Sequence, residues 1–177
     1  PWILKRTGAI LERNFLYHAF WKWRHLGELA KKEKCSLLLV PGGTFITSFR
    51  PVVTMSQNLL PFEWMEIKRY RFSLYTIKWL LLRLSQSGSF KRANGILFLT
   101  KYSRGVVSEV TGPLSGQNVV IPHGLNQRFF SPPRKQLNIS DYNYQNPFRL
   151  IYVSPIQPYK HHRNVIEAVS KLHNNGV

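Results

Sequence analysis

Apolar and polar positions alternate along the chain in a way that predicts short strands separated by amphipathic helices. Runs of aliphatic and β-branched residues, each ended by Pro, Gly, Ser or Asn or followed by Thr, occupy residues 35–40, 51–55, 96–99 and 119–121. Such runs are typical of strands. The first run is apolar almost throughout, so we expect that strand to be buried on both of its faces.

Apolar residues at three- and four-residue spacing predict helices between these strands. We predict helices over residues 11–34, over residues 63–92 with a break at Gly88, and over a short segment ending at Val110 that Thr100 or Ser103 caps. Strands and helices in this order are typical of an α/β fold, a Rossmann-like parallel sheet with flanking helices and both faces covered.

The chain also predicts the start of a second domain. Residues 131–147 contain three Pro, three Asn and few aliphatic residues, a composition typical of a linker. Residues 150–153 then resemble a strand, and a helix is predicted from His161 onward. We therefore expect a first Rossmann-like domain over residues 1–130, incomplete at its amino end, and the first strand-helix unit of a second over residues 148–177.

The net charge of the chain indicates which classes of binding partner are favoured. Among 177 residues, 25 Lys and Arg face 8 Asp and Glu, a formal charge of +17 that favours phosphate-bearing partners. The bases are dispersed in small groups, which argues against a disordered tail that binds nucleic acid. Basic and aromatic residues interleave on the predicted helices, so an anionic membrane surface is a candidate partner. The alternative is a solvated helical face that only keeps the protein in solution.

The cysteine content and the apolar runs bear on where in the cell the protein lies, and the two chain ends bear on whether the sequence is whole. A lone Cys35 fits a reduced, cytoplasmic compartment, and no apolar run is long enough to cross a bilayer. We expect a cytoplasmic protein, in one interpretation peripheral on the inner face of the membrane. Because the chain starts without Met and stops after a predicted helix, we expect a piece of a longer protein, truncated at both ends and inactive alone.

Lys160 is the leading candidate for binding. It lies on a proline-braced turn between the predicted strand and helix of the second unit, where the helix N-terminus favours phosphate. The alternative is an ordinary solvated turn. His161 and His162 are adjacent and point in different directions on a helix, so a shared metal site is not expected.

Other candidates follow the predicted strands of the first domain. Gln57 and Asn58 follow the second strand, Gly42 and Gly43 follow the first, and His123 and Gly124 follow the fourth. The carboxyl ends of parallel strands line the ligand crevice of open α/β sheets. Each pair has a structural alternative, since Asn, His and Gly are also common in plain turns.

Four segments in a fixed order resemble a known family. They are PVVTMSQNLLPFE at 51–63, FKRANGILFLTKYSRGVV at 90–107, NVVIPHGLNQRFF at 118–130 and RLIYVSPIQPYKHH at 149–162. From about residue 35 to its end, the chain resembles the nucleotide-sugar glycosyltransferases of family 4, which have the two-domain GT-B arrangement. The ordered string is more specific than any one segment.

The resemblance implies an enzyme of polysaccharide or glycoconjugate synthesis. Such enzymes move a sugar from a nucleotide-sugar donor to a saccharide or lipid-linked acceptor, with retention at the anomeric carbon and without a metal or other cofactor. Lys160 matches the lysine that contacts the donor diphosphate, and Ser154 is a second donor-binding candidate. The acidic pair expected on the donor would lie beyond residue 177.

Two positions depart from the family pattern. Ser154 and its two successors stand where many relatives carry an Arg and a Gly, so contacts to the donor phosphates are expected to differ. Gln57 and Asn58 stand where many relatives carry His-Asp; as catalytic candidates they orient a sugar hydroxyl but cannot shuttle a proton.

Two other functions stay open. One is a basic α/β module that binds nucleic acid, which the charge favours but which no known reader motif supports. The other is a catalytically silent scaffold of the same fold. Under the glycosyltransferase hypothesis no nucleic-acid partner is expected.

Overall fold

The computed structural model describes residues 15–175. The chain divides into two compact units, Pro1–His123 and Gly124–Val177. We call them unit 1 and unit 2. The predicted boundaries at residues 130 and 147 stay predictions.

Unit 1 is an α/β structure with a four-stranded parallel sheet, which confirms the predicted fold class. Its elements are α1 (Phe15–Lys32), β1 (Leu38–Val40), β2 (Val52–Ser56), α2 (Trp64–Lys68), α3 (Leu74–Arg92), β3 (Gly95–Phe98), α4 (Lys101–Thr111) and β4 (Gln117–Val120). The strands lie in the order β1-β2-β3-β4, and every neighbouring pair is parallel. Residues 11–14 of the first predicted helix lie outside the described residues.

The core of unit 1 fills the space between one face of the sheet and the helices. Val52, Ile96 and Phe98 point from the strands into this core, where they meet Phe90 of α3 and Val107 of α4. Strands that follow one another across a parallel sheet by right-handed crossovers keep their connections on one face, which explains the one-sided core. Each fully buried side chain of this size contributes about 1.5–3 kcal/mol.

The opposite face of the sheet is partly open, which corrects the prediction that both faces are buried. Met55, Leu97 and Val119 form one row across this face, and Leu39 lies on it with 50% of its surface exposed. The apolar run at 35–40 therefore did not indicate double burial. Met55 and Leu97 of that row are only partly buried, and Val119 is 45% exposed.

Local hydrogen bonds of Thr100 and Ser103 determine where α4 begins. Thr100 accepts a hydrogen bond from the Ser103 backbone N–H (3.0 Å), and the Ser103 hydroxyl accepts one from the Thr100 N–H (3.3 Å). This capping box starts α4, so both predicted caps act together.

The predicted break at Gly88 is wrong, because α3 continues through it to Arg92. Ser89 and Phe90 are buried directly after Gly88, and the Ser89 hydroxyl accepts from the Phe45 N–H (3.1 Å). Such tertiary contacts outweigh the penalty of about 1 kcal/mol for an interior glycine. The helical stretch breaks earlier, between α2 and α3, where Arg71 has a left-handed φ of 51°.

Over residues 124–175, unit 2 consists of extended chain, three short 3-10 turns and one helix. The turns are Gln127–Phe129, Ile139–Asp141 and Pro158–Lys160, and the helix is α5 (His162–Asn174). The predicted helix is confirmed, but the predicted strand at 150–153 is not formed. A strand needs a neighbour that shares its backbone hydrogen bonds, and the described residues of unit 2 contain no other strand to pair with it.

Candidate functional site

The candidates of unit 1 lie at one edge of the sheet. Gly42 and Gly43 follow β1, Gln57 and Asn58 follow β2, and His123 follows β4. Because all four strands are parallel, their carboxyl ends share this edge, which we call the carboxyl edge. Residues far apart in the chain thus belong to loops of the same rim.

Gly43 is required by the backbone. Its φ of +76° lies in the left-handed region, and a Cβ there would come within 3.1 Å of the Gln86 side-chain nitrogen. A Cβ on Gly42 would meet nothing within 4 Å. The turn interpretation therefore has geometric support at Gly43, where the loop packs closely on α3.

Gln57 and Asn58 are both exposed but differ in what holds them. The Asn58 side-chain oxygen accepts from the Leu60 N–H (3.0 Å) and so organises the turn after β2. The Gln57 side-chain nitrogen lies 3.2 Å from the Met55 sulfur, a weak acceptor. Both amides keep hydrogen-bonding capacity for a ligand, and the bond that Gln57 already makes is the weaker of the two.

A carboxylate-phenol pair joins the N-terminal ends of α2 and α4, which follow β2 and β3, and sequence reasoning missed it. The Tyr102 hydroxyl, in the first turn of α4, donates to Glu63 Oε1 at 2.6 Å. This hydrogen bond, reinforced by the negative charge of Glu63, raises the pKa of Tyr102 above its ordinary value. The two residues are 39 positions apart, so no local sequence pattern predicts the pair.

Ser56 adds a buried polar group at the same edge. It is the last residue of β2 and pairs in register with Phe98 of β3. Its hydroxyl is buried and has no hydrogen-bond partner among the residues that the structure describes. Buried hydroxyls are usually satisfied, so a water or a ligand group is a natural partner here.

Lys160 lies at the last position of a 3-10 turn, two residues before α5 begins. The Tyr152 hydroxyl donates to the Lys160 backbone oxygen at 2.7 Å, and the Tyr152 ring lies 4.9 Å from the His162 ring. The Lys160 side chain is half-buried, with its amine 5.1 Å from the Tyr159 ring centroid. Tyr152 thus connects the extended segment before the turn to the start of the helix.

Charges around this turn favour an anion. The first turn of α5 contains no acidic residue, and its Arg163 pairs with Glu167 one turn later at 2.6 Å. Lys160 adds a cation two residues before the start of α5, whose N-terminal backbone amides carry partial positive charge. Ser154, the other donor-binding candidate, is half-buried, with its hydroxyl 3.4 Å from the Pro155 carbonyl oxygen.

Comparison of the chain with protein-family models, with curated proteins and with solved structures finds no match. What the chain does must therefore be inferred from its own residues.

The other candidate positions have fewer features that support ligand binding. His123 and Gly124 are exposed, and a Cβ on Gly124 would meet nothing within 4 Å. Within the described part of the chain, no three His, Cys, Asp or Glu residues come close enough to hold a metal ion. A shallow depression of about 410 Å³ is lined by α1 residues alone, among them Trp21 and His25, and contains none of the candidates.

Proposed function

We propose that the chain is part of a nucleotide-sugar-dependent glycosyltransferase of the GT-B type. Unit 1 supplies the acceptor-binding domain, and unit 2 supplies the first part of the donor-binding domain. The observation that carries this proposal is the position of Lys160, on a turn directly before the N-terminus of α5 and held by Tyr152. The parallel sheet with polar loops at its carboxyl edge supports it.

In the proposed reaction, the acceptor hydroxyl oxygen forms a bond to the anomeric carbon of the donor sugar. The bond from that carbon to the diphosphate oxygen breaks, and the nucleoside diphosphate leaves with the electron pair. The acceptor proton passes to the departing phosphate oxygen, on the same face of the sugar, so configuration is retained. The donor is a substrate, and the proposal requires no other cofactor.

Lys160 and the first amides of α5 stabilise the charge that gathers on the departing diphosphate. A cation fixed beside helix N-terminal amides needs little reorganisation as the charge develops, which is the usual origin of large electrostatic effects in catalysis. The half-burial of Lys160 strengthens the interaction relative to a fully solvated lysine.

At the carboxyl edge of unit 1, Gln57, Asn58, Glu63 and Tyr102 hold acceptor hydroxyls. The amides both donate and accept hydrogen bonds, and Glu63 accepts. Neither amide moves a proton. Because Glu63 already binds the Tyr102 hydroxyl, the pair presents a pre-oriented acceptor oxygen to a sugar hydroxyl.

The test is Lys160→Ala in the complete protein, with sugar transfer and binding of uridine and guanosine diphosphate both measured. We expect kcat/KM to fall about a hundredfold, the size of effect seen when one electrostatic group is removed. Lys171→Ala is the matched control, because it removes the same charge from the last turn of the same helix. Transfer unchanged by Lys160→Ala would contradict the role of Lys160, and absence of transfer by the unchanged protein would favour a silent scaffold.

Nucleic-acid binding is the second candidate, favoured by the net charge of +17. A nucleic-acid-binding protein should bind single-stranded DNA with an affinity that falls steeply with salt, and should ignore nucleoside diphosphates. Titration with both ligands at two salt concentrations separates the two functions.

A further inference from the structure

An apolar stripe runs along the outer side of α3. It consists of Leu74, Ile77, Leu81 and Leu84, each more than half exposed. The buried residues of α3 are Gln86, Ser89 and Phe90, all in its second half. The first half of the helix therefore shows apolar side chains to solvent while the second half anchors the helix in the core.

The stripe continues into the junction between α2 and α3. Phe72 is fully exposed there, and Met65 is 70% exposed. We call the stripe together with Met65 and Phe72 the α3 patch. Trp64 and Tyr75, on the same two helices, are exposed aromatic side chains with polar tips, whereas the polar tips of Tyr70 and Trp79 are buried. Tyr70 contacts Tyr75 and Trp79 at ring distances of 5.8 and 6.3 Å.

The segment that carries the α3 patch is strongly cationic. Residues 64–92 contain seven bases and one acid, a net charge of +6 by subtraction: Lys68, Arg69, Arg71, Lys78, Arg83, Lys91 and Arg92 against Glu66. The single acid is paired, since Glu66 lies 2.8 Å from Arg69. Lys68 and Lys78 lie over the rings of Trp64 and Trp79, at 5.6 and 5.2 Å from the centroids.

We propose that the α3 patch is a docking site for the surface of an anionic lipid bilayer. Exposed aliphatic and aromatic side chains enter the headgroup boundary, aromatic residues with polar tips lie at that boundary, and the surrounding bases contact the anionic headgroups. The helix lies on the bilayer and does not cross it, because none of the described helices is both long and apolar enough to span a membrane.

Charge and shape separate this partner from the others. A second copy of the chain would bring one +6 segment against another, which like-charge repulsion opposes. Single-stranded nucleic acid stacks its bases on aromatic platforms, whereas Phe72 is the one aromatic residue among the six of the α3 patch. The inference does not depend on sugar transfer, because lipid binding is measured without a substrate.

The experiment is sedimentation of the complete protein with vesicles, either of phosphatidylcholine alone or of an equimolar mixture with phosphatidylglycerol. We expect binding to the anionic vesicles only, and release when salt rises from about 0.1 M to about 1 M, because the Debye length falls from about 10 Å to about 3 Å. Equal binding to both vesicles, or binding to neither, would overturn the proposal.

Two pairs of variants locate the binding surface. Phe72→Ser with Leu74→Ser should weaken binding to the anionic vesicles about tenfold or more, since the two side chains lose their apolar transfer into the boundary. Tyr144→Ser removes an almost fully exposed aromatic residue from unit 2 and should change nothing. Arg71→Gln with Lys78→Gln should weaken binding about twenty-five-fold, or about fivefold per base. Arg134→Gln with Lys135→Gln makes the same charge change elsewhere and should have a much smaller effect.

Circular dichroism verifies that each variant is folded, as expected for exposed positions. Variants of both α3 pairs that bind anionic vesicles as well as the unchanged protein does would overturn the proposal. Dimerisation in solution that Phe72→Ser abolishes, or single-stranded DNA bound in preference to anionic vesicles, would also overturn it.

Discussion

Residues 52–56 of unit 1 and residues 150–154 of unit 2 have similar sequences and different structures. VVTMS forms β2, between β1 and β3, with Val52 and Thr54 fully buried. LIYVS stays extended and unpaired, and Ile151 is 88% exposed. Both runs are β-branched or aromatic in large part and both end in Ser. The comparison shows that an apolar run forms a strand only where neighbours share its hydrogen bonds and cover its side chains.

Two helices, α4 of unit 1 and α5 of unit 2, differ in the same way. α4 begins with a complete capping box and buries Ser103, Val107 and Thr111. α5 begins after His161, which has a left-handed φ of 56° and makes no side-chain cap hydrogen bond to the helix, and no residue of α5 is buried. Unit 1 is thus stabilised by packing, whereas unit 2 depends mainly on local hydrogen bonds.

The largest expected effect sharpens this contrast in stability. Phe90→Ala removes a fully buried ring that stacks on Phe62 at 5.8 Å, and should lower the free energy of unfolding of unit 1 by about 3–5 kcal/mol. Val153→Ala, at an exposed position of the unpaired segment, should change stability by less than about 0.5 kcal/mol. Urea denaturation followed by circular dichroism measures both. A cost at Val153 as large as the cost at Phe90 would mean that the segment is packed.

A smaller effect tests the start of α4. Thr100→Ala should lower the free energy of unfolding by about 1 kcal/mol, because the Ser103 N–H loses its acceptor. Thr100→Ser keeps the hydroxyl and should retain most of the stability. Amide hydrogen exchange of the first turn of α4 gives a local readout, and equal exchange in the two variants would contradict a capping role.

The smallest effect concerns pH and the Glu63–Tyr102 pair. The pKa of Tyr102 is raised above 10.0 in the folded state, first by its hydrogen bond to Glu63 and then by the charge of Glu63. Folding therefore favours the protonated phenol. The added stability is fully present below pH 10 and is lost as the pH rises through the folded-state pKa.

The difference in unfolding free energy between the unchanged protein and Tyr102→Phe should shrink above pH 10. Carbon NMR of labelled tyrosine should show one ring that titrates above the ordinary tyrosine value. In Glu63→Gln, which keeps an acceptor but removes the charge, that titration should move back toward the ordinary value. An unmoved titration would show that Glu63 is not the cause.

Much of unit 1 was predictable because its signals are local. The strands were predicted within two or three residues of their observed bounds, and both Thr100 and Ser103 were identified as caps. The failures were tertiary. The break at Gly88 was outweighed by the burial of Ser89 and Phe90, and the covered second face predicted from the apolar run at 35–40 did not form.

In the candidate site, too, local patterns predicted some residues, whereas tertiary contacts decided the others. Sequence patterns located Gln57, Asn58 and Gly43 after strands, and the parallel order of the sheet then assigned all of them to one edge. Glu63 and Tyr102 were missed because a single Glu and a single Tyr, 39 residues apart, have no spacing that marks them as partners. Lys160 was predicted at a helix start, and it lies there, but the strand expected before it is absent from the described residues.

By itself, the sequence determined where the strands of unit 1 lie, how much positive charge the chain carries and which side chains follow each of those strands. These properties depend on residues a few positions apart, so a linear pattern contains them. Only the tertiary structure decided which face of the sheet is covered, that Glu63 binds Tyr102, and that the outer side of α3 stays open. Those outcomes depend on which distant segments meet, and that choice is made by packing and by the supply of hydrogen-bond partners.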